Sequence, residues 1–221
     1  MTDNKSSEET CRVYIVEDDD AVRDSLQMVL ESMGHEVVAF TNANSFLDYY
    51  HDDLCGCLVL DIRMPGMTGM QLQRRLNEAN SILPIIFVTG HGDIPMAVEA
   101  MQKGAIDFIE KPYREQELLD KINLALAEDQ NNRNRLKQQQ LIIEQIKNLT
   151  PREMEVMKEM VKGKANKVIA IDLNISQRTV EIHRARVMEK LQASSLAQLV
   201  RLYMTVEADI QSLLPDANSI S

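Results

Sequence analysis

The stretch LVLDIRMPGM (residues 58–67) runs from a block of apolar residues directly into an aspartate, and a Pro-Gly break follows at once. The block is typical of a buried strand, yet it ends on Asp61, a charged group that water would solvate better elsewhere. A single aspartate after a strand is commonly a cap or a turn former. Whether Asp61 is more than that depends on what the neighbouring strands carry at their ends.

Short apolar runs alternate with helical patterns across the first half of the chain. The runs lie at 13–16, 36–40, 57–60, 85–88 and 105–109, and the helical patterns lie at 20–33, 44–50, 68–79, 94–103 and 114–128. Strands that alternate with helices form a parallel sheet covered on both faces. The first half is therefore predicted to be an α/β domain.

Polar side chains follow several of these runs. Glu17 and Asp18 follow the first run, Asp61 the third, Thr89 the fourth and Lys111 the fifth. Because the carboxyl ends of parallel strands share one edge of the sheet, we expect these groups to converge. Clustered carboxylates repel each other unless a cation joins them, and oxygen ligands suit Mg²⁺. An aspartate held there can act as a nucleophile toward a phosphoryl group, whose charge a lysine and a hydroxyl would stabilise.

These residues resemble the receiver domain of a two-component response regulator. The resemblance rests on the acidic pair after the first strand and on the motifs LVLDIRMPGMTG, VTGHGD and DFIEKP. It implies a flavodoxin-like fold with a five-stranded parallel sheet in the order 2-1-3-4-5. It also implies that Asp61 accepts a phosphoryl group from a sensor histidine kinase, with Thr89 and Lys111 assisting.

The resemblance further implies a set of metal ligands. Asp18, Asp61 and the backbone carbonyl of Arg63 would bind Mg²⁺ directly, and Glu17 would act through water. Most members of the family carry aspartate where this chain has Glu17. The longer side chain is expected to alter the water shell of the metal and the lifetime of the phosphoryl group.

A switch pair is implied as well. Phosphorylation of Asp61 would draw Thr89 inward and let Phe108 follow, which would remodel the face formed by the fourth helix and the fifth strand. That face would then dimerise or release the output domain. The Lys111–Pro112 peptide bond is expected to be cis.

The second half of the chain differs in charge. Residues 1–128 hold 10 Lys and Arg against 23 Asp and Glu, whereas residues 129–221 hold 14 against 11. An acidic half joined to a locally basic half indicates that only the second meets nucleic acid. The Asn- and Gln-rich residues 129–148 between them are predicted to form a helical linker that continues the preceding helix, with a flexible coil as the alternative.

From residue 149 onward the pattern is helical with short loops. Thr150, Pro151 and Glu153 form a capping box at the start of one helix. Two helices separated by a tight turn at 174–176 follow, and a last helix runs from Ser195 to about Val206. Residues 149–205 resemble the LuxR/FixJ-type helix-turn-helix, an all-α output domain of four helices, so the chain is identified as a member of the LuxR/FixJ type of response regulator.

The recognition helix is predicted at about 177–191, with Val180, Val187 and Leu191 facing the core. The family position of the outward residues places three of them at base edges, namely Glu181, Ile182 and Ala185. The candidates for phosphate contacts are Lys167, Arg178, Thr179, His183, Arg184, Arg186 and Lys190. A solvated helix face is the competing interpretation for the basic residues, and a solvated or core-edge imidazole is the competing one for His183.

We predict five segments along the chain. They are a disordered N-terminus (1–10), the receiver domain (11–128), the helical linker (129–148), the LuxR-type helix-turn-helix domain (149–206) and a C-terminal tail (207–221). No apolar window approaches the length of a membrane span, and the polar N-terminus lacks a secretory signal, so the protein is expected to be soluble and cytoplasmic. Three cysteines without zinc spacing are predicted to be small core residues, and nothing in the sequence requires a redox role.

The leading hypothesis is a phosphorylation-controlled transcription regulator that is not an enzyme beyond phosphorylation and slow dephosphorylation at Asp61. Its expected partners are a sensor histidine kinase, double-stranded promoter DNA in the major groove and a second copy of the phosphorylated chain, with RNA polymerase as a further candidate. An aspartyl-phosphate phosphatase of the haloacid-dehalogenase kind would carry a second aspartate at the position of Arg63, so that alternative fits poorly. An adaptor that never touches DNA is the third hypothesis, and the basic recognition helix argues against it.

Overall fold

The computed structural model describes residues 11–90 and 94–213. The predicted disordered segment 1–10 and residues 214–221 of the predicted tail lie outside the described residues. The chain divides into two compact units, residues 1–133 and residues 134–221.

The first unit is built around a five-stranded parallel sheet. The strands are β1 (Arg12–Val16), β2 (Val37–Phe40), β3 (Gly56–Asp61), β4 (Ile85–Thr89) and β5 (Asp107–Glu110), in the spatial order β2-β1-β3-β4-β5. The helices that connect and follow them are α1 (Asp20–Ser32), α2 (Ala43–Tyr49), α3 (Gly69–Glu78), α4 (Ile94–Gln102) and α5 (Glu115–Lys147). All four strand pairings are parallel, so the predicted fold class and strand order are confirmed.

Two apolar layers cover the sheet, and successive side chains of each strand pack alternately into one layer and the other. In β3, Leu58 and Leu60 pack into one layer while Cys57 and Val59 pack into the other. Every residue of β3 is buried, which explains why the central strand reads as a continuous apolar run. The packing on both faces holds the end of β3, and therefore the backbone of Asp61, in a fixed place.

Helix α5 is much longer than the helical pattern at 114–128. It runs without a break from Glu115 to Lys147, so the residues predicted to form the linker are helical through Lys147. Ile122 near its start is fully buried in the first unit, and Ile146 near its end is buried in the core of the second. Leu136 between them is 43% exposed. The prediction of a helical linker that continues the preceding helix is confirmed.

The cysteine prediction was wrong for two of the three residues. Cys11 and Cys55 are joined by a disulfide, although 44 positions separate them in the sequence. The physical reason is the pairing of β1 with β3, which aligns Arg12 with Gly56 and brings the residues just before both strands together. Cys57 is free and fully buried, as the prediction has it.

The second unit is all-helical. Its helices after the end of α5 are α6 (Pro151–Val161), α7 (Asn166–Asp172), α8 (Gln177–Lys190) and α9 (Leu196–Leu213). Thr150 caps α6 with the predicted capping box, its hydroxyl accepting from the backbone N–H of Glu153. Asn174 adopts a φ of 51° in the tight turn between α7 and α8. This conformation is one that asparagine tolerates better than most residues.

The last helix ends later than predicted. The sequence pattern predicts an end at about Val206, but α9 continues to Leu213. Val206 and Ile210 are both buried, so the apolar face of α9 extends one more turn and holds the helix against the core. Residues 207–213 of the predicted tail are therefore helical. Among the described residues, no helix combines the length and apolar character that a membrane crossing requires.

Candidate functional site

An acidic cluster lies at the carboxyl edge of the sheet. Glu17 follows β1, Asp18 comes next, and Asp61 ends β3, the neighbouring strand. One carboxylate oxygen from each lies within 4.8 Å of the others. Glu17 and Asp61 are buried, whereas Asp18 is exposed. The structure thus brings together the three carboxylates that the sequence predicts.

Lys111 joins two of these carboxylates. Its Nζ donates hydrogen bonds to Glu17 Oε2 at 2.8 Å and to Asp61 Oδ1 at 3.0 Å. The backbone places it there, because the Lys111 N–H donates to the carbonyl of Thr89 at 2.7 Å just beyond β5. The Lys111–Pro112 peptide bond is cis, as the resemblance implies.

Burial and charge shift the pKa values in this cluster. Burial raises the pKa of Glu17 and of Asp61, and the hydrogen bonds from Lys111 only partly oppose it. Burial also disfavours the charged form of Lys111, but its bonds to the two carboxylates outweigh that effect and raise its pKa. One ammonium group cannot neutralise three clustered carboxylates. The remaining negative charge and the all-oxygen donor set fit a hard divalent cation such as Mg²⁺.

The second carboxylate oxygen of Asp61 is held by the loop after β3. Asp61 Oδ2 accepts the backbone N–H of Arg63 at 2.7 Å. The Arg63 side chain is exposed, so this residue contributes its backbone to the site. With one oxygen bound by Lys111 and the other by Arg63, the rotation of the Asp61 carboxylate is restricted.

Gly69 is a supporting residue that the sequence reasoning missed. It begins α3, and a Cβ built on it would lie 2.3 Å from the backbone oxygen of Asp61 and 3.0 Å from Cε1 of Phe87. Any side chain here would displace the end of β3. The signal was the glycine directly after Thr68, the N-cap of α3, in the motif MPGMTG.

The predicted switch residues lie on neighbouring strands. Thr89 ends β4 and is buried, and its hydroxyl donates to the carbonyl of Ile109 in β5 at 3.4 Å. Phe108 lies beside Ile109 and is half-buried. Because a donor–acceptor distance of 3.4 Å is long for a hydroxyl donor, the bond from Thr89 is weak.

Helix α8 presents one face to the core and another to water. Val180 and Val187 are fully buried and Leu191, its C-cap, is 2% exposed, so the predicted core face is confirmed. Ser176 caps the helix by accepting the backbone N–H of Thr179 at 3.0 Å. Ile182 is 47% exposed, which places it on the outward face.

The predicted DNA-contacting residues differ in exposure. The exposed ones are Lys167, Arg178, Glu181, Ile182, Ala185, Arg186 and Lys190. The half-buried ones are Thr179, His183 and Arg184. Among the described residues, Nδ1 of His183 is a buried atom without a hydrogen-bond partner, which agrees with the core-edge interpretation of its imidazole.

Lys190 has an internal role that the sequence did not indicate. Its Nζ donates to Glu153 Oε2 at 2.7 Å and to the carbonyl of Asn148 at 3.1 Å. Glu153 is buried, and the bonds from Lys190 and from the Thr150 backbone lower its pKa to about 2. The ammonium group that was assigned to a DNA phosphate is thus already bound within the domain.

Comparison with known proteins identifies both domains. The model of the response regulator receiver domain matches residues 13–123, and the model of bacterial regulatory proteins of the luxR family matches residues 147–203. The chain belongs to the LuxR/FixJ-type response regulators.

Similar response regulators span most of the chain. The transcriptional regulatory protein FixJ of Bradyrhizobium diazoefficiens is 44% identical over 192 residues, which cover 87% of this chain and 94% of FixJ. The response regulator protein TodT of Pseudomonas putida is 43% identical over 190 residues, which cover 86% of this chain and 84% of TodT. The solved structure of the response regulator StyR, 43% identical, superposes with a TM-score of 0.77 over 88% of this chain and 98% of that chain.

This response regulator therefore combines a receiver domain with a LuxR-type DNA-binding domain. Response regulators with such an output domain are transcription regulators and not classical enzymes, so the phosphatase alternative is set aside. Receiver domains generally bind Mg²⁺ at an acidic pocket, and in this chain Glu17, Asp18 and Asp61 form an acidic cluster that could hold a metal ion. The receiver implies a sensor kinase as partner, and the output domain implies DNA.

Proposed function

We propose that Asp61 is the phosphoacceptor of this response regulator and that its phosphorylation controls dimerisation and promoter binding. The observation that carries the proposal is the ion pair of Lys111 with both Glu17 and Asp61 beside the exposed Asp18. This arrangement holds a restrained carboxylate next to a cationic donor and leaves excess negative charge for a metal.

Each residue of the pocket has a distinct part in this reaction. Glu17, Asp18, Asp61 and the backbone carbonyl of Arg63 would hold Mg²⁺, with Glu17 acting through water. When bound, the ion would offset negative charge on the phosphoryl oxygens. Lys111 would donate to the same oxygens, which stabilises the charge that builds during transfer.

The transfer itself is a displacement at phosphorus. A carboxylate oxygen of Asp61 attacks the phosphoryl group of a phosphohistidine on the sensor kinase. The phosphorus–nitrogen bond breaks, the imidazole leaves, and an acyl phosphate forms. The hydrogen bonds of Asp61 with Lys111 and with the Arg63 N–H fix its orientation for this attack.

The switch follows from the weak bond of Thr89. Its hydroxyl would leave the carbonyl of Ile109 and donate to the phosphoryl group, and little is lost because the existing bond is 3.4 Å long. The half-buried ring of Phe108 would move into the space that Thr89 vacates. The resulting change at α4 and β5 would favour a homodimer.

The output domain would then read a promoter with α8 in the major groove. Glu181, Ile182 and Ala185 would face base edges, and the carboxylate of Glu181 can accept a hydrogen bond from a cytosine amino group. The residues proposed for phosphate contacts are Lys167, Arg178, Thr179, His183, Arg184, Arg186 and Lys190, the last only if it leaves Glu153. Two copies would fit half-sites about one helical turn apart, with RNA polymerase as a further partner.

The test is labelling of the purified protein by acetyl phosphate in the presence of Mg²⁺. The wild type should form one phosphoryl adduct that hydroxylamine cleaves, as expected of an acyl phosphate, and Asp61→Asn should form none. Asp24→Asn, which changes an exposed carboxylate on α1, should be labelled like the wild type. Labelling of Asp61→Asn at the wild-type level would overturn the assignment. A gel shift with promoter fragments, before and after phosphorylation, tests control of DNA binding.

A further inference from the structure

A second cluster of reactive side chains lies at the opposite edge of the sheet from the acidic pocket. Cys11 precedes β1, and Cys55 precedes β3. The Arg12 N–H donates to the Cys55 carbonyl at 3.0 Å, and the two cysteine Cα atoms are 4.7 Å apart. Because backbone pairing of the strands sets this approach, the two sulfur atoms remain neighbours whether they are bonded or reduced.

Asp129 of helix α5 lies against this pair. It is fully buried, and its Oδ2 accepts the backbone N–H of Gly56 at 3.0 Å and Nε of Arg133 at 2.8 Å. Arg133 also donates to the carbonyl of Leu54. These bonds, which we call the Asp129 latch, hold the segment 54–56 against the part of α5 where the predicted linker begins.

The sulfur of Cys55 touches the same carboxylate oxygen. Cys55 Sγ lies 3.3 Å from Asp129 Oδ2. A thiol at this position can donate its proton to the carboxylate as a further hydrogen bond, whereas a disulfide sulfur has no proton and turns a lone pair toward the anion. The carboxylate of Asp129 therefore favours the reduced form of Cys55 over the disulfide.

We propose that Cys11 and Cys55 form a redox-responsive site whose oxidation state is coupled to the Asp129 latch. Reduction adds a donor to Asp129 and strengthens the latch, and formation of the disulfide removes that donor and weakens it. Since coupling between two equilibria is reciprocal, the latch also biases the pair toward the dithiol by the same factor. This inference does not depend on phosphorylation of Asp61.

Hydrogen peroxide is an oxidant that can carry out this oxidation. Cys11 is partly exposed and would react first, its sulfur attacking one peroxide oxygen so that the O–O bond breaks, a hydroxyl group transfers to sulfur and water leaves. The sulfur of Cys55 then attacks this sulfenic acid, the S–O bond breaks and a second water leaves. The two sulfur atoms give up two electrons, the thiol protons end in water, and a small dithiol reverses the reaction by exchange.

Cys57 provides a matched control within the same strand. It lies two residues after Cys55, but it is fully buried, and burial raises the pKa of its thiol. A buried, protonated thiol is a poor nucleophile, so Cys57 should stay reduced. Cys57→Ala should leave the redox equilibrium of the other two cysteines unchanged.

The direct test is equilibration of the full chain in buffers of reduced and oxidised dithiothreitol, followed by alkylation and mass spectrometry. The wild type should form the Cys11–Cys55 disulfide within one chain. Asp129→Asn should raise the equilibrium constant for its formation by about fivefold, the size of one modest hydrogen bond. Equal constants in wild type and variant, or disulfides that form only between chains, would overturn the proposal.

A second measurement on the wild type avoids any change in folding caused by substitution. Hydrogen exchange of the Gly56 amide, which donates to Asp129, reports on the latch directly. Oxidation with hydrogen peroxide should speed this exchange by about fivefold in the wild type, as reciprocity requires, and leave it unchanged in Cys11→Ser. Exchange of Gly56 at the same rate in the oxidised and reduced wild type would show that the pair and the latch are independent.

Discussion

Lys190, the last residue of α8, donates a 2.7 Å hydrogen bond to the buried carboxylate of Glu153 at the start of α6. The same oxygen of Glu153 accepts the backbone N–H of Thr150 at 2.9 Å. The capping box of one helix and the end of another therefore share one carboxylate. The position of α8 depends on this contact as well as on its apolar face.

Lys190→Met should destabilise the output domain by about 2 kcal/mol, because it leaves the buried Glu153 without its charged donor. Urea unfolding followed by circular dichroism would measure the loss. Lys162→Met removes a lysine that pairs with Glu159 and whose side chain is 61% exposed, so it should cost less than about 0.5 kcal/mol. Equal effects from the two substitutions would mean that Glu153 does not need Lys190.

The contribution of Glu153 to stability should depend on pH. Its pKa is lowered from the ordinary value of 4.5 to about 2 in the folded protein, first by the bond from Lys190. A lowered folded-state pKa stabilises the protein fully above the unfolded pKa, and this stabilisation is lost as the pH falls from 4.5 toward about 2. Thermal unfolding of wild type and Glu153→Gln across this range should show the advantage of the wild type shrinking as the pH falls. An advantage that stays constant down to pH 2 would contradict the assignment.

Gly69→Ala should destabilise the receiver by about 2 kcal/mol or more and reduce phosphoryl labelling of Asp61. The added methyl group would lie 2.3 Å from the backbone oxygen of Asp61, so either α3 or the end of β3 must move. Gly66→Asn is the control, because no atom lies within 4 Å of a Cβ there and asparagine tolerates the φ of 78°. Denaturant unfolding and acetyl phosphate labelling would be compared for both. If Gly69→Ala behaves like the control, the contact with Asp61 does not constrain the site.

Arg184→Ala should weaken binding to a target promoter by about tenfold and reduce the salt dependence by about one counterion, with little loss of stability. Arg184 is half-buried on α8, on the helix proposed to enter the major groove. Arg201→Ala, an exposed change on α9, is the control and should bind like the wild type. The readout is fluorescence anisotropy at several salt concentrations. Unchanged affinity of Arg184→Ala would show that α8 is oriented differently on DNA.

The acidic pocket could be predicted because each of its residues directly follows, or lies close after, the apolar run of its own strand. An apolar run predicts a buried strand, and the polar residue after it lies at the carboxyl edge, so Glu17, Asp61 and Lys111 could be placed together without coordinates. The bond of Lys111 with both carboxylates then follows from their proximity. The supporting role of Gly69 could not be predicted, because it depends on how closely α3 approaches the end of β3.

Three features escaped prediction because they depend on packing that no local sequence pattern encodes. The disulfide of Cys11 and Cys55 depends on the register of β1 against β3, which the composition of neither strand reveals. The sequence makes Lys190 a candidate for DNA contact, because sequence alone does not distinguish a basic helix residue that faces water from one that pairs with a buried acid. Here that acid is Glu153, 37 residues away. The sequence pattern places the end of α9 too early because it does not reveal that Ile210, one turn past Val206, is buried.

The ion pair of Lys190 with Glu153 also bears on the thermodynamics of DNA recognition. Because α8 is capped by Ser176 at one end and tied to Glu153 at the other, its conformational entropy is already lost in the free protein. If α8 enters the major groove as proposed, DNA binding requires no folding of the helix, and calorimetry should show a heat-capacity change without the large contribution of coupled folding. A helix that is ordered in this way cannot change its conformation to accommodate a mismatched base. We therefore expect a mismatch to reduce the affinity for DNA without compensation from the helix.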